Sequence, residues 1–237
     1  MAKKGMLPRR LANCPVPLCT ACLYGKAKKR AWRSKPSDMD EVRLIATKPG
    51  KCVSVDQLTS PTPGLVAQVS GALTKSRYTT ATVFVNHATD FGYLHLQRSS
   101  DAADTVKAKE AFERFASKHG VRVQHYHADN RVFSSNEWRS KCVQSGQGLT
   151  FAGVNAHHQN GRAEQRIGIL QDLYSTSLSH ANQRWLTAIT ANLWPYVMRM
   201  CKRCRESCPE PQVPGRKDTN GSVRQNLTEL QTEIMSM

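Results

Sequence analysis

The sequence has no long apolar run, few acidic residues, and no histidine before His87. No window approaches the roughly 20 apolar residues that a membrane-spanning helix needs, so a membrane protein is not expected. The Lys-rich start has no apolar core of a signal peptide, and secretion is not expected either. Without secretion, the eight cysteines are better interpreted as reduced thiols or metal ligands than as disulfides.

Acidic residues are scarce: 18 Asp and Glu stand against 34 Lys and Arg, which gives a net charge of +16. A chain this basic is expected to bind a polyanion, with nucleic acid the first choice and an anionic membrane surface the second. The first fifty residues carry twelve basic and three acidic side chains. We therefore predict a basic extension over residues 1–50, a globular core over 51–207, and a disordered tail rich in Pro, Gly and polar residues over 208–237.

A C-x-x-C pair in the basic extension has part of a zinc-binding pattern. Cys19 and Cys22 would supply two thiolates at a suitable spacing, but a closed structural zinc site needs four ligands. Without an upstream histidine the site is predicted to be incomplete, unless Cys14 or a histidine from elsewhere in the chain substitutes. A second pair, Cys201 and Cys204, is interpreted as incidental because no histidine follows it.

A short basic run follows the first of these pairs. It could contact phosphate groups or act as a nuclear-import signal, and the alternative interpretation is a solvated linker. The sequence leaves all three open. The basic members of the run are Lys26, Lys28, Lys29 and Arg30.

From residue 50 onward, apolar periodicity indicates an α/β domain. Strand patterns are found at about 51–58, 80–85, 93–96, 121–128 and 149–154. Helical patterns are found at about 102–119, 135–144, from 161 onward, and 184–205. Pro61, Pro63 and Gly64 predict a loop after the first strand, and Pro195 predicts a kink in the last helix.

Three acidic residues occupy ends of these predicted elements. Asp56 and Asp129 lie at the carboxyl ends of strand patterns, where α/β sheets commonly carry their sites. Glu164 lies in the first turns of a helix that Asn160 is predicted to cap, where the helix dipole favours an ionised carboxylate. Taken alone, Glu164 is an ordinary surface carboxylate; the two aspartates turn it into a candidate for metal binding.

The segments around these acids resemble one family. They read Val55-Asp56-Gln57-Leu58, Ala128-Asp129-Asn130 and Gln159-Asn160-Gly161-Arg162-Ala163-Glu164, and the glutamate follows the second aspartate by 35 positions. In this order they resemble the catalytic core of Copia-type (Pseudoviridae-like) LTR retrotransposon integrases, over about residues 14–199. The resemblance implies a ribonuclease H-like fold, with a five-stranded mixed sheet flanked by helices.

The resemblance also implies a chemistry and partners. Asp56 would bridge two Mg²⁺ or Mn²⁺ ions, with Asp129 holding one and Glu164 the other. The activity implied is trimming of the element's 3′ ends, followed by attack of the 3′-OH on target DNA. Element ends and target DNA would be the partners, with no small-molecule substrate. The active form would be a homo-oligomer in the nucleus, made in the cytoplasm as a piece of a polyprotein.

Further residues around the motifs are candidates for contact with DNA. Those in the core are Asn130, Gln159, Asn160, Arg162 and Arg166. The sequence departs from the family at Arg131, where a glycine is usual and where a tight turn could be strained by a side chain.

Two other functions remain open beside a DNA integrase. A nucleic-acid-binding remnant of a retroelement without catalysis fits the same positive charge and the departures from the family pattern. A cytosolic ribonuclease H-like nuclease fits the fold but not the segment that ends in Glu164.

The basic extension generates a prediction about DNA binding. Deleting residues 1–50 should flatten the dependence of DNA affinity on salt, by about 0.9 in log–log slope for each phosphate that is no longer neutralised. The reason is that Lys and Arg release counterions from phosphates without reading sequence. Titrations of labelled duplex DNA at several salt concentrations measure the slope, and an unchanged slope would assign these charges to solvent.

Overall fold

The computed structural model describes residues 19–25, 48–67, 74–153 and 160–207. The predicted tail at 208–237 and most of the basic extension lie outside these ranges. Among the described residues, no helix combines the length and the apolar character needed to span a membrane.

A mixed sheet of five strands forms the centre of the molecule. The strands are β1 (Val53–Leu65), β2 (Arg77–Asn86), β3 (Gly92–Gln97), β4 (His125–Ala128) and β5 (Gly148–Phe151). Their spatial order is β3-β2-β1-β4-β5. The first three strands pair antiparallel, whereas β4 lies parallel to both β1 and β5. This order and pairing define the ribonuclease H-like fold that the sequence predicted.

Five α-helices within the described ranges surround or adjoin the sheet. They are α1 (Thr20–Gly25), α2 (Ala102–Lys118), α3 (Asn136–Gln144), α4 (Gly161–Arg184) and α5 (Trp194–Ser207). Alternation along each strand gives the sheet two apolar faces, and each face has its own helices. Helices α2 and α3 cover one face, over a cluster that includes Val53, Val55, Phe84, Tyr126 and Trp138.

The opposite face of the sheet is covered by α4 and α5. Its cluster includes Val83, Val85, Leu170, Trp194 and Met198. The buried strand residues of this cluster belong to β2 and β3, so these two helices lie over the antiparallel half of the sheet. The parallel pair, β4 and β5, contributes no described residue to this cluster.

The first strand is longer than the sequence predicted. β1 runs through Pro61 and Pro63 to Leu65, although its pairing with β2 is interrupted between Thr59 and Gly64. The loop prediction is therefore wrong about where the strand ends. Proline lacks an N–H, and a strand tolerates it where the ladder of hydrogen bonds is irregular.

Strand β4 is shorter than predicted. It starts only at His125, and the preceding Gln124 pairs by its backbone with Gly50 and Gly148 instead. Val123 is nevertheless buried in the cluster beneath α2 and α3. Its burial produces the same apolar pattern in the sequence as a strand would, which explains the prediction of a strand over 121–124.

The last helix begins ten residues later than predicted. Residues 185–193 form turns and a short 3₁₀ segment, and α5 starts at Trp194. Pro195 is then in the first turn, where its missing N–H leaves no hydrogen bond unmade, and the predicted kink in mid-helix is wrong. The buried residues of α5 include Trp194, Pro195, Met198 and Cys201, whereas Met200 is 47% exposed.

Gly64 is the point at which β1 accommodates α5. A Cβ atom there would lie 2.3 Å from Pro195 Cγ and 2.5 Å from Trp194 Nε1, the indole nitrogen that donates to the carbonyl of Thr62 at 2.9 Å. The strand and the helix start can approach this closely only because residue 64 has no side chain.

Two glycine substitutions should therefore have opposite effects on stability. Gly64→Ala should lower the free energy of unfolding by about 1–3 kcal/mol, because the added methyl group overpacks against Trp194 and Pro195. Gly168→Ala, within α4, meets no atom within 4 Å and should raise it by about 0.5–1 kcal/mol through helix propensity. Urea unfolding of both variants measures the two changes. Equal effects would contradict the packing described at Gly64.

Candidate active site

The parallel pairing of β1 with β4 places two of the predicted acids on neighbouring strands. Val53, Ser54 and Val55 stand opposite Tyr126, His127 and Ala128. Asp56 and Asp129 follow directly, at the carboxyl ends of this pairing. Asp129 thus follows the end of β4 as predicted, whereas Asp56 lies within β1, which continues to Leu65.

Asn160 attaches the start of α4 to the same edge. Its Nδ2 donates to the carbonyl of Val55 at 3.0 Å, and the residue is only 1% exposed. The predicted helix start is confirmed, but Asn160 does not cap the helix with its side chain. Glu164 lies one turn further along α4. Because Asn160 is bonded to the residue before Asp56, the start of α4 and its glutamate are held on the side of the two aspartates.

The charges of Asp129 and Glu164 act on the carboxylate of Asp56. The pKa of Asp56 is raised from 3.8 to about 6, chiefly by burial, and the charges of Asp129 and Glu164 contribute to the rise. A hydrogen bond from the amide of Gln57 acts in the opposite direction. A carboxylate is penalised by desolvation and by like charges in this way. The edge therefore carries negative charge that the surrounding protein only partly compensates.

Each aspartate also bonds to the backbone amide that follows it. Asp56 Oδ1 accepts from Gln57 N at 2.8 Å, and Asp129 Oδ1 accepts from Asn130 N at 2.7 Å. The Arg131 Nε lies 3.7 Å from Asp129 Oδ2, with the arginine side chain 82% exposed. Within the described ranges, no three His, Cys, Asp or Glu side chains are arranged to hold one metal ion.

Arg131 does not strain the turn in the way that the sequence suggested. Its φ is −62°, outside the left-handed region that favours glycine. The side chain at this position instead brings a cation next to Asp129.

The predicted DNA contacts divide into exposed and buried residues. Arg162 is exposed at the start of α4, where its Nη1 donates to the carbonyl of His87 at 2.6 Å. Asn130 is exposed as well, and its Nδ2 donates to the carbonyl of Ala152 at 2.8 Å. Both side chains are exposed and can be reached by a ligand.

Arg166 and Asn160 are buried, and a role in contacting DNA is not supported for either. Arg166 is 6% exposed, and its Nη2 pairs with Asp90 Oδ2 at 2.7 Å and also donates to the Asp90 carbonyl. Asp90 lies in the turn between β2 and β3 with a φ of 55°, the one left-handed non-glycine among the described residues. The sequence alone could not show that Arg166 is buried, because its acidic partner, Asp90, is 76 positions away.

Several predicted residues lie outside the described ranges. These are Gln159, Lys26, Lys28, Lys29 and Arg30. Cys19 and Cys22 are half-buried at the start of α1, which packs against α4. Cys14, the predicted substitute ligand, is not described.

A buried polar network that the sequence analysis missed fixes β4 against α2. Glu113 Oε1 accepts from Tyr126 OH at 2.9 Å and from Gln147 Nε2 at 2.6 Å, and it lies 2.9 Å from the fully buried Lys109 Nζ. These contacts hold the strand that ends next to Asp129. The only sign of this network in the sequence is the i,i+4 spacing of Lys109 and Glu113. That spacing is equally common in ion pairs on the exposed surface of a helix, so it does not indicate burial.

Comparison with known proteins gives similarities of structure. No protein-family model matches the sequence, and no curated protein matches it. The chain is similar to a chain of the simian T-cell lymphotropic virus intasome at 14% identity and a TM-score of 0.46, covering 72% of this chain and 59% of that one. The chain thus spans 59% of the length of that intasome chain.

It is also similar to the HTLV-2 integrase catalytic core domain in complex with magnesium. The trimeric form matches at 15% identity and a TM-score of 0.46, over 71% of this chain and 93% of that one. The dimeric form matches at 16% identity and a TM-score of 0.45, over 69% and 91%. These similarities concern the fold, which the strand order and pairing already define.

The raised pKa of Asp56 predicts how stability depends on pH. Below its unfolded pKa, Asp56 is protonated in both the folded and the unfolded protein, so its burial carries no electrostatic cost. As the pH rises from that value to about 6, the unfolded state ionises first, and above about 6 the folded state must hold a desolvated charge. Asp56→Asn removes that charge and should stabilise the protein by about 2–3 kcal/mol more at pH 8 than at pH 4.

Urea unfolding in the presence of a chelator, at a series of pH values, measures this difference. Gly168→Ala supplies the control, since it changes no titratable group and should shift stability by the same amount at every pH. A gain for Asp56→Asn that does not change between pH 4 and pH 8 would contradict the description of Asp56 as a desolvated carboxylate.

Proposed function

We propose that the chain is an integrase-like polynucleotidyl transferase that processes DNA ends and joins them to target DNA through Asp56, Asp129 and Glu164. The observation that carries the proposal is the register of β1 against β4, which sets Asp56 beside Asp129. The raised pKa of Asp56, to which both of the other carboxylates contribute after burial, supports it. Three acids from two strands and one helix, drawn to one sheet edge in spite of their repulsion, are more typical of a functional site than of a solvated surface.

The donor set of this edge suits a hard divalent cation. Asp56, Asp129 and Glu164 offer only oxygen atoms, which Mg²⁺ and Mn²⁺ prefer, and their negative charge is only partly compensated. Holding an ion would require the aspartates to turn from their neighbouring amides, since no three such groups in the described part of the chain are now arranged to hold one. Divalent cations at such a site stabilise charge on the attacking and leaving oxygens of a phosphodiester.

The remaining side chains of the edge would bind and orient the nucleic acid. Arg162 is exposed in the first turn of α4, two residues before Glu164, and presents guanidinium donors of the kind that phosphates accept. Asn130 is tied to Ala152 and so holds the turn that follows Asp129. None of the three acids needs to act as a nucleophile, because water or a 3′-OH attacks the phosphate.

The finer assignment follows the resemblance of the sequence. We propose a Copia-type LTR retrotransposon integrase, a piece of a polyprotein whose core spans residues 51–207. Its partners would be element ends and target DNA, its active form a homo-oligomer, and its location the nucleus. The net charge of +16 supports the nucleic-acid partner.

A second candidate is a nucleic-acid-binding protein without catalysis. The observation that favours it is Arg131, whose Nε already lies beside Asp129 Oδ2 and supplies a cation at the edge. The pair is exposed on the arginine side and worth little by itself, so it opposes metal binding only weakly. Loss of the metal site is the property that would distinguish this candidate.

Divalent metal should stabilise the folded protein and support cleavage. Mg²⁺ or Mn²⁺ binds the native acids and not the unfolded chain, so at about 100 times its Kd it should add roughly 2.7 kcal/mol to the free energy of unfolding. Asp56→Asn should abolish this gain. With Mn²⁺, the wild-type chain should nick or join a labelled DNA end, whereas Glu164→Gln should bind DNA about equally and leave it intact.

The controls separate a specific site from general ion effects. Asp101→Asn should keep the full metal response, since the residue is exposed and its charge is not among those that act on Asp56. A melting temperature that does not respond to either cation, together with intact DNA binding, would replace the enzyme by the non-catalytic candidate.

A further inference from the structure

The parallel half of the sheet carries a second constellation of chemically active side chains. His125 and His127 alternate along β4 and therefore lie on the same face. On β5, Gly148 stands opposite His125 and Thr150 opposite His127. Thr150 Oγ1 lies 2.9 Å from His125 Nε2 and 2.9 Å from His127 Nδ1, so two imidazole nitrogens converge on one atom.

Gly148 makes room for this arrangement. A Cβ atom at that position would lie 2.4 Å from His125 Nδ1 and 3.2 Å from its Cε1. The imidazole ring thus lies directly against the glycine, which leaves Nε2 directed to Thr150. The position of the ring depends on a residue from the neighbouring strand that has no side chain.

The Thr150 hydroxyl cannot donate a hydrogen bond to both imidazole rings. It has one proton to donate, so at least one of the two nitrogens must donate to it instead. Burial, followed by the nearby His127, lowers the pKa of His125 and favours its neutral form, which carries a lone pair. Neutral imidazole nitrogens are the form that binds divalent transition metals.

The two nitrogens are within chelating reach of each other. Since both lie 2.9 Å from Thr150 Oγ1, they are at most about 6 Å apart, and a Zn²⁺ ion about 2 Å from each would require only rotation of the rings. His87 is not one of the two proposed ligands, and its Nε2 lies 2.7 Å from a different hydroxyl, Ser54 Oγ.

We propose that His125 and His127 form a two-histidine site for a borderline divalent transition metal such as Zn²⁺, distinct from the three carboxylates. Thr150 holds the rings in place when no ion is bound. Two protein ligands leave coordination positions open, so the ion is exchangeable and can take a further ligand. The nitrogen donors separate this site from the oxygen-only edge that begins at Asp129, roughly 7 Å further along the strand.

Protection from chemical modification tests the site directly. The full chain is treated with diethyl pyrocarbonate with and without Zn²⁺, and the modified histidines are identified by peptide mass spectrometry. His125 and His127 should be modified more slowly with Zn²⁺, because their nitrogens are occupied. His180, exposed on α4, should react equally in both samples. Equal modification of His125 and His127 with and without Zn²⁺ would overturn the proposal.

Zinc stoichiometry provides the second measurement, read as differences between variants because the cysteines can also bind zinc. By calorimetry, His125→Gln and His127→Gln should each lose one bound equivalent relative to wild type. Gly148→Ala should weaken the same equivalent with both histidines present, whereas Gly168→Ala and His180→Gln should not. Asp56→Asn should retain it, so the outcome is independent of the proposed carboxylate site. An unchanged stoichiometry in His125→Gln would contradict the site.

Discussion

The parallel pairing of β1 with β4 is the constraint on which the rest of the site depends. The register of β1 against β4 places Asp56 beside Asp129. In the same strand, the carbonyl of Val55 accepts a hydrogen bond from the side-chain amide of Asn160. A shift of one residue would turn Asp56 to the opposite face, where α2 and α3 pack. The buried residues Val53 and Val55 oppose that shift, because it would carry them out of their apolar cluster.

The fold holds its acids together at an electrostatic cost. Asp56 is desolvated and repelled by two neighbours, and the compensating cation, Arg131, is exposed and partly screened. The destabilisation caused by the buried charge of Asp56 is offset by packing elsewhere, notably in the two apolar clusters on the faces of the sheet. The same uncompensated charge gives a divalent cation its favourable interaction.

Local signals predicted the strand end that precedes Asp129 and the start of α4, because each is visible within ten residues of sequence. The strand that carries Asp56 was predicted to end too early, since the prolines in its second half are also typical of a loop. The function of Asn160 was not predictable in this way, since its partner lies 105 positions away. The start of α5 was missed because residues 185–193 have helical periodicity but form turns and a short 3₁₀ segment. The histidine pair was missed because it needs the register of β4 against β5, which brings Gly148 under His125.

The bond from Asn160 to Val55 has a consequence for the order of folding. Strands β1, β2 and β3 form a meander of short connections, whereas the acid edge closes only when residue 160 returns to residue 55. Contacts between distant residues form late, because closing long loops costs entropy before the contact is made. In kinetic terms the meander should form first and the acid edge among the last, so a nascent chain would lack the assembled edge until α4 has been synthesised.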